Sequence, residues 1–260
     1  MISPVVKAFV IAKNEEKNIE RTLSALLKHS LSVIVLDSGS TDRTIALAAA
    51  MSGVAVESYR YVDHCTTYNE ISLRTAPSEL ALILDADMIV TAQLWHEICY
   101  LLEQSKLEVI ISPIEMWWEG KPLVSGSLCP PKAIVLLGGR AHFVASGHGE
   151  RLISHPDRQV LTINKLIHDD RKGFESFLQS QMRYAQTLID RAQRGETTRR
   201  DWMYLYTPAV LFLQPLYSYI FRGGFRSGMA GIIYALDRSI AAAIVLRQSL
   251  ARRLHREKFK

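Results

Sequence analysis

Leu80-Ala81-Leu82-Ile83-Leu84-Asp85-Ala86-Asp87 is the stretch from which the rest of the chain is read. An unbroken apolar run with no polar alternation suits a strand buried on both faces, as in parallel sheets. Two aspartates then arrive at positions i and i+2, where such a strand would emerge. The same pattern recurs upstream. Val5-Val6-Lys7-Ala8-Phe9-Val10-Ile11 runs into Lys13-Asn14-Glu15-Glu16, and Ser32 to Asp37 runs into Asp37-Ser38-Gly39-Ser40. Ala55 to Val62 reads as a third strand, Leu80 to Leu84 as the fourth and Val109 to Ile114 as the fifth.

Helices fit between these strands. Ile19, Leu23, Leu26 and Leu27 have helical spacing, as do Leu94, Ile98, Leu101 and Leu102 within 91–104. Ser40 to Met51 has hydroxyl and Asp capping at its start and Gly53 as its stop, and Thr66 to Ala76 is a short helix ended by Pro77. Alternating strands and helices predict right-handed crossovers in a mostly parallel α/β sheet with helices on both faces. Ligands of such sheets sit at the carboxyl ends of the strands, where all three polar clusters fall.

The 260 residues, 48% hydrophobic and 22% charged, suit one α/β domain over 1–172 and a C-terminal amphipathic helical region over 173–260. Cys65, Cys99 and Cys129 have neither metal-ligand spacing nor an even count, which points to free thiols in a reducing cytosol. The N-terminus lacks the order of a signal peptide. No stretch holds the ~18–20 uninterrupted apolar residues of a membrane span. The expected location is therefore the cytoplasm.

The net charge of +5 is unevenly spread: Arg199 to Lys260 holds 11 Lys/Arg against three Asp/Glu. The apolar runs beside it, Tyr204 to Phe221 and Met229 to Leu246, are interrupted by Pro208, Gln214, Pro215, Asp237 and Arg238, and neither is expected to span a bilayer. Apolar surface next to basic charge fits peripheral contact with an anionic membrane; a helical hairpin with a solvated basic end is the alternative. The apolar character argues against nucleic acid. Phe174 to Ala192 forms an amphipathic helix. Residues 115–168 hold Trp117-Trp118, a Gly/Pro/Ser-rich loop and strand-like runs at Ala133–Leu137 and Val160–Ile167, read as the acceptor-facing half of the domain.

Breaking a diphosphate–sugar bond needs the leaving diphosphate's charge stabilised, which a divalent metal does as a Lewis acid. Mg²⁺ and Mn²⁺ prefer carboxylate oxygens, and Asp85 and Asp87 supply them. A turn or helix cap uses the same pattern, so the acidic neighbours at two other strand ends carry the weight. Asp37 suits a nucleobase N–H or a helix cap. Asn14-Glu15-Glu16 suits a pocket or a helix start.

The segments Ile11-Ala12-Lys13-Asn14-Glu15-Glu16-Lys17-Asn18-Ile19, Val33 to Thr44 (with Asp37-Ser38-Gly39-Ser40-Thr41-Asp42) and Leu82 to Asp87 resemble, in order and spacing, the three signatures of the family 2 glycosyltransferases. The second is similar to the subgroup with lipopolysaccharide-core β-1,4-glucosyltransferases. The resemblance covers residues 3–115 strongly. It implies a GT-A fold, a UDP-sugar donor, Mg²⁺ or Mn²⁺, inversion at the anomeric carbon, and a glycan or lipid-linked acceptor at the inner face of the membrane.

By the same resemblance, Ala12, Asn14 and Glu15 would line the nucleotide pocket. Asp37 would bind the base, and Ser38 belongs to the same donor-binding set. Asp85 would face ribose and metal, and Asp87 would ligate the metal. Asn69 matches an Asn before the fourth strand, but Tyr68 stands where relatives carry Lys or Arg, leaving Arg60 or Arg74 to meet the diphosphate. Gly147-His148-Gly149-Glu150 resembles the region of the catalytic base: Glu150 is the first candidate and His148 the second, with a salt bridge to Arg151 as the alternative for Glu150. His168 resembles a late metal-ligating His, while Asp169 and Asp170 suit helix capping. Trp117 and Trp118 suit sugar stacking or core packing. A nucleotidyltransferase would need a Gly-rich basic loop after strand one, which Lys13-Asn14-Glu15-Glu16 is not. A non-catalytic sugar-nucleotide sensor keeps the fold but has no need of a base.

Overall fold

The computed structural model describes residues 5–104, 107–146, 149–153 and 156–257. The chain forms two compact units, Met1–Met116 with Cys129–Arg171, and Trp117–Leu128 with Lys172–Lys260. The Trp117–Leu128 loop, expected in the acceptor-facing half of the sheet domain, therefore belongs to the helical unit.

The elements run β1 (Val6–Ala12), α1 (Ile19–Leu27), β2 (Ser32–Asp37), α2 (Thr44–Ala49), β3 (Val54–Ser58), α3 (His64–Arg74), β4 (Leu80–Asp85), β5 (Met88–Ile89), α4 (Ala92–Gln104), β6 (Val109–Ser112) and β7 (Ile114–Trp118). They continue with β8 (Lys121–Pro122), β9 (Lys132–Leu137), β10 (His142–Ser146), β11 (Gly149–Ile153), β12 (Gln159–Leu161) and β13 (Leu166–His168). The helices α5 (Phe174–Gln193), α6 (Arg199–Tyr206), α7 (Val210–Leu216) and α8 (Gly228–Glu257) complete the chain.

The first unit is built on a seven-stranded sheet in the order β12-β6-β9-β4-β1-β2-β3. β1 is parallel to β2 and β4, β2 to β3, and β12 to β6. This is the expected mostly parallel α/β sheet. Its apolar runs feed two cores, one on each face. Ala8, Val10, Ala12, Leu82 and Leu84 pack with Ile19, Leu23 and Leu26 of α1. Phe9, Ile11, Ala81 and Ile83 pack with Tyr68 and Ile71 of α3. A strand buried on both sides has no position for a polar residue, which is why the runs do not alternate.

Three expectations change. The fifth strand does not extend the parallel set directly, because β9 inserts between β4 and β6 and is antiparallel to both. The run Val160–Ile167 is two strands: β12 joins the main sheet, and β13 pairs with β5 and β7 in a smaller one. The Glu97 carboxylate of α4 causes that split, accepting hydrogen bonds from Ile163 N (2.7 Å), Asn164 N (2.8 Å) and Asn164 Nδ2 (2.7 Å). The helix expected from Ser40 begins only at Thr44, because residues 39–41 are held in a loop by Asp37 and Asn14.

In the second unit, β7 turns back onto β8 through Glu119 and Gly120, both at positive φ. A capping box, Thr198 with Asp201, starts α6. Gly224 and Gly231 meet closely: a Cβ on Gly231 would lie 2.0 Å from the Gly224 carbonyl oxygen. The helix spanning Gly224–His255, with a mean hydropathy of 1.7 over its most apolar stretch, is long and apolar enough to cross a membrane, which corrects the sequence expectation. Asp237 and Arg238 interrupt the sequence run but not the helix. Of that stretch 44% is buried within the protein, and core helices of globular proteins meet the same criterion.

Candidate active site

The carboxyl ends of β1, β2 and β4 converge with the end of β13. The Asp85-Ala86-Asp87 turn is fixed from two sides: Ala86 N donates to Ile11 O (3.2 Å), and the Thr22 hydroxyl donates to Ala86 O (2.7 Å). Asp169 N donates to Asp87 O (3.0 Å), tying in the end of β13. Single carboxylate oxygens of Glu15, Asp87 and Asp170 all lie within 4.8 Å of one another. Glu15 and Asp87 are buried and Asp170 is exposed.

Asn18, 1% exposed, organises this cluster. Its Nδ2 donates to Glu15 Oε2 (2.8 Å) and Asp170 Oδ1 (2.9 Å). Its Oδ1 accepts from Arg171 N (2.9 Å) and Arg21 Nη2 (2.9 Å). Arg21 and Arg171 also hold the buried Asp169 carboxylate, at 2.5 and 2.9 Å. Asp169 is thus spent on arginines, and Asp170 is the member of the pair that reaches the acidic cluster.

Asp85 faces the other way, where its carboxylate pairs with the ammonium of Lys132, the first residue of β9. Burial raises the Asp85 carboxyl, but Lys132 and His64 beside it bring it below its ordinary value. Burial opposes the charge on Lys132, and Asp85 more than restores it. The Lys132 ammonium also lies 5.6 Å from the ring centroid of Tyr68. A cation therefore stands beside Tyr68, supplied from a distant strand. Arg74 is committed to Glu57 at 2.5 Å, and Arg60 is exposed.

His168 Nε2 lies 3.1 Å from Asp87 Oδ2. Burial opposes its protonation, but the Asp87 carboxylate pushes its pKa well above the usual imidazole value. Asp87, Asp85 and His168 are thus brought together as expected. Glu15 and Asp170 also gather at Asp87.

Asn14, at φ 55°, accepts from Thr41 N through Oδ1 (2.8 Å) and donates its own N–H to Ser40 Oγ (2.9 Å). Glu15 N donates to Thr44 Oγ1 (2.7 Å). These bonds strap the first polar loop to the second. Asp37, 4% exposed, uses Oδ2 to accept from Gly39 N (2.9 Å) and Ser40 N (3.0 Å), while its Oδ1 is buried and accepts no hydrogen bond. One oxygen holds the turn and the other has capacity for a ligand N–H. Ser38 donates to Ala12 O through both its N–H (3.0 Å) and its hydroxyl (3.1 Å). Ala12 is buried, so it serves as a backbone anchor.

Asn69 exchanges two hydrogen bonds with the backbone of Phe143, at 2.8 and 2.9 Å, and so fastens α3 to β10. The backbone of Glu150 lies on β11 opposite Ala145; its side chain, and all of His148, lie outside the described residues. Trp118 packs inside the second unit, donating to Asp237 Oδ2 (2.7 Å) and meeting Phe177 and Tyr234 edge-on.

The donor set fits a hard divalent cation: three carboxylates close together and a buried Asp85 Oδ1 that accepts no hydrogen bond. Around a cation at ~2.1 Å from each oxygen, ligands lie at most ~4.2 Å apart, so the 4.8 Å cluster needs only a small contraction. Lys132 had one sequence signal, a lone Lys heading an apolar strand after Pro130-Pro131. Asn18 sat inside the first motif without a role.

Residues 8–117 match the family model described as glycosyl transferase family 2. An uncharacterized glycosyltransferase of Rickettsia bellii (strain RML369-C) is 31% identical over 103 residues, 39% of this chain and 34% of that protein, so the match spans about a third of the relative's length. Among solved structures, glucosyl-3-phosphoglycerate synthase from Mycobacterium tuberculosis, in complex with Mn²⁺, UDP and glucosyl-3-phosphoglycerate, is 24% identical over 43% of this chain and 44% of that one, with a TM-score of 0.36. S. aureus TarS 1–349 in complex with UDP-GlcNAc is 14% identical over 92% of this chain and 90% of that one, with a TM-score of 0.49. Residues 8–117, which carry the strand ends that gather Glu15, Asp37, Asp85 and Asp87, are thus similar to a family 2 glycosyltransferase domain.

Proposed function

We propose that the protein is an inverting, metal-dependent glycosyltransferase that moves a hexose or N-acetylhexosamine from a UDP-sugar to a glycan or lipid-linked acceptor. The pathway is bacterial surface polysaccharide synthesis, of lipopolysaccharide core or capsule. The observation that carries it is the cluster of Glu15, Asp87 and Asp170 carboxylates beside the Asp85–Lys132 pair at the carboxyl ends of a parallel sheet.

Asp87 would hold Mg²⁺ or Mn²⁺, and Asp85, His168, Glu15 and Asp170 would be the further ligands. The cation supplies Lewis-acid stabilisation of the leaving diphosphate. Lys132 adds fixed positive charge where relatives have Lys or Arg near position 68. Asp37 Oδ1 accepts the uracil N–H. Glu150, with His148 as the alternative, takes the acceptor hydroxyl's proton as it attacks the anomeric carbon from the face opposite UDP. The basic C-terminal region holds the enzyme peripherally on the inner face of the cytoplasmic membrane.

Calorimetric titration with UDP should give binding that strengthens with Mn²⁺, and UDP should be released from one member of a UDP-sugar panel once the acceptor is supplied. Glu150→Gln should abolish transfer and keep UDP affinity. Loss of both together would make Glu150 a structural residue, and absence of any UDP binding would overturn the proposal.

A further inference from the structure

The second unit carries a surface that the transfer chemistry does not use. Between Pro208 and Leu236 the only charged side chains are Arg222 and Arg226, both exposed. Large apolar residues stand outward there: Phe212 is 76% exposed, Phe221 74%, Met229 70% and Leu236 59%. On α8 four of the six buried apolar residues are alanines (Ala230, Ala235, Ala241, Ala242), beside Tyr234 and Leu246, while Met229, Ile232, Leu236, Leu250 and Leu254 face out. α7 and α8 enclose a groove of about 860 Å³ lined by Leu211, Phe212, Tyr219, Ile232 and Leu236 among others. Its hydroxyl-bearing Ser239 is committed to Leu211 O at 3.0 Å. Such a groove, lined almost wholly by hydrocarbon, suits a hydrocarbon chain better than a hydrated glycan.

We infer that the α7–α8 face docks on an anionic phospholipid bilayer. The groove takes an acyl chain, the outward aromatic and aliphatic side chains enter the acyl boundary, and Arg222 and Arg226 meet lipid phosphates. This rests on the peripheral-membrane part of the proposed function and names its surface. It is independent of the transfer chemistry.

Charge selects this occupant. In a symmetric dimer through the same face, each copy's arginines would meet a patch that has no acidic residue from Pro208 to Leu236 to pair with them. An anionic headgroup layer supplies that partner, as it does for the excess of 11 Lys/Arg over three Asp/Glu from Arg199 onward.

The test is sedimentation of the full chain with phosphatidylcholine vesicles containing or lacking phosphatidylglycerol, with UDP binding measured on the same preparations. The wild type should partition onto the anionic vesicles and resist neither high salt nor alkaline carbonate. Phe212→Ser with Leu236→Ser should lower partition on both vesicle types by about tenfold or more. Arg222→Gln with Arg226→Gln should remove most of the preference for phosphatidylglycerol, about fivefold per arginine. UDP affinity should be unchanged in all variants, so a wild type that binds UDP but neither vesicle type, or variants that partition as the wild type does, would overturn this inference alone. Carbonate-resistant association would make α8 a membrane span and overturn it. So would a concentration-dependent dimer, abolished by Phe212→Ser, with no vesicle binding.

Discussion

In β4 the large side chains are the ones removed from water: Leu82, Ile83 and Leu84 are each 0% exposed, packed against helices on both faces. In α8 most of the buried apolar residues are alanines, and Met229 and Leu236 stand outside. The first unit therefore buries its central strands internally, and what remains at their carboxyl ends is polar: carboxylates, an amide hub and a lysine. The second unit leaves its apolar surface for something else to cover. A chain with both kinds of incompleteness is suited to chemistry at one site and attachment at another.

The sharpest break in that contrast is expected at Asp87. Asp87→Ala should lower transfer to the true acceptor by ~10³-fold or more, since a Lewis-acid contribution is worth several kcal/mol at ~1.4 kcal/mol per decade. The thermal midpoint should fall only modestly, because the repulsion relieved in the carboxylate cluster offsets the loss of the Asp87–His168 contact. Transfer that survives in the presence of chelator-controlled Mn²⁺ would sink the metal assignment.

Lys132→Met comes next and is read first in stability. It strands Asp85, a carboxylate with 27% of its side chain exposed, beside Asp87 and without its cation. The cost should be about 3 kcal/mol, the low end for breaking a buried pair given that exposure, measured by urea unfolding. Adding Asp85→Asn should restore most of the stability and none of the transfer, which separates structural pairing from a role toward the diphosphate. Smaller again is Asn18→Ala. It removes the bridge between Glu15 and Asp170, and Mn²⁺ affinity should fall by about 10–100-fold, as for outer-shell partners of metal ligands. Unchanged Mn²⁺ affinity would place the cation on the Asp85–Asp87–His168 side instead.

The two units were not equally legible in the sequence, for a physical reason. A strand buried on both faces writes its environment into consecutive residues, so β1, β2 and β4 and the acidic turns after them could be read directly. Lys132 and Asp170 reach the same site from strands far along the chain, and pairing across such separations leaves no local pattern. The Glu97 carboxylate that splits Val160–Ile167 into β12 and β13 acts across 66 residues and is equally silent. Asn69 carried a motif match, yet the fold uses its amide to hold Phe143. In the second unit, sequence showed apolar content and interrupting charges but not which side chains face outward. Asp237 interrupts the run on paper, and in the fold it is 5% exposed and bonded to Trp118.

The smallest expected effect tests the contrast from the other side. Phe212→Ser with Leu236→Ser removes two large apolar side chains, and in the first unit a comparable loss, such as Ile83→Ala, should cost about 2–5 kcal/mol through lost burial and the cavity left behind. Phe212 is 76% exposed and Leu236 59%, so little of that burial exists to be lost. The double variant should stay within about 0.5 kcal/mol per site of the wild type in urea unfolding without lipid, the range of ordinary surface substitutions. Its solubility should rise, since an outward apolar face favours self-association. A loss near the Ile83→Ala value would mean that this face is covered by the protein itself in solution, and the two units would then share one mode of burial after all.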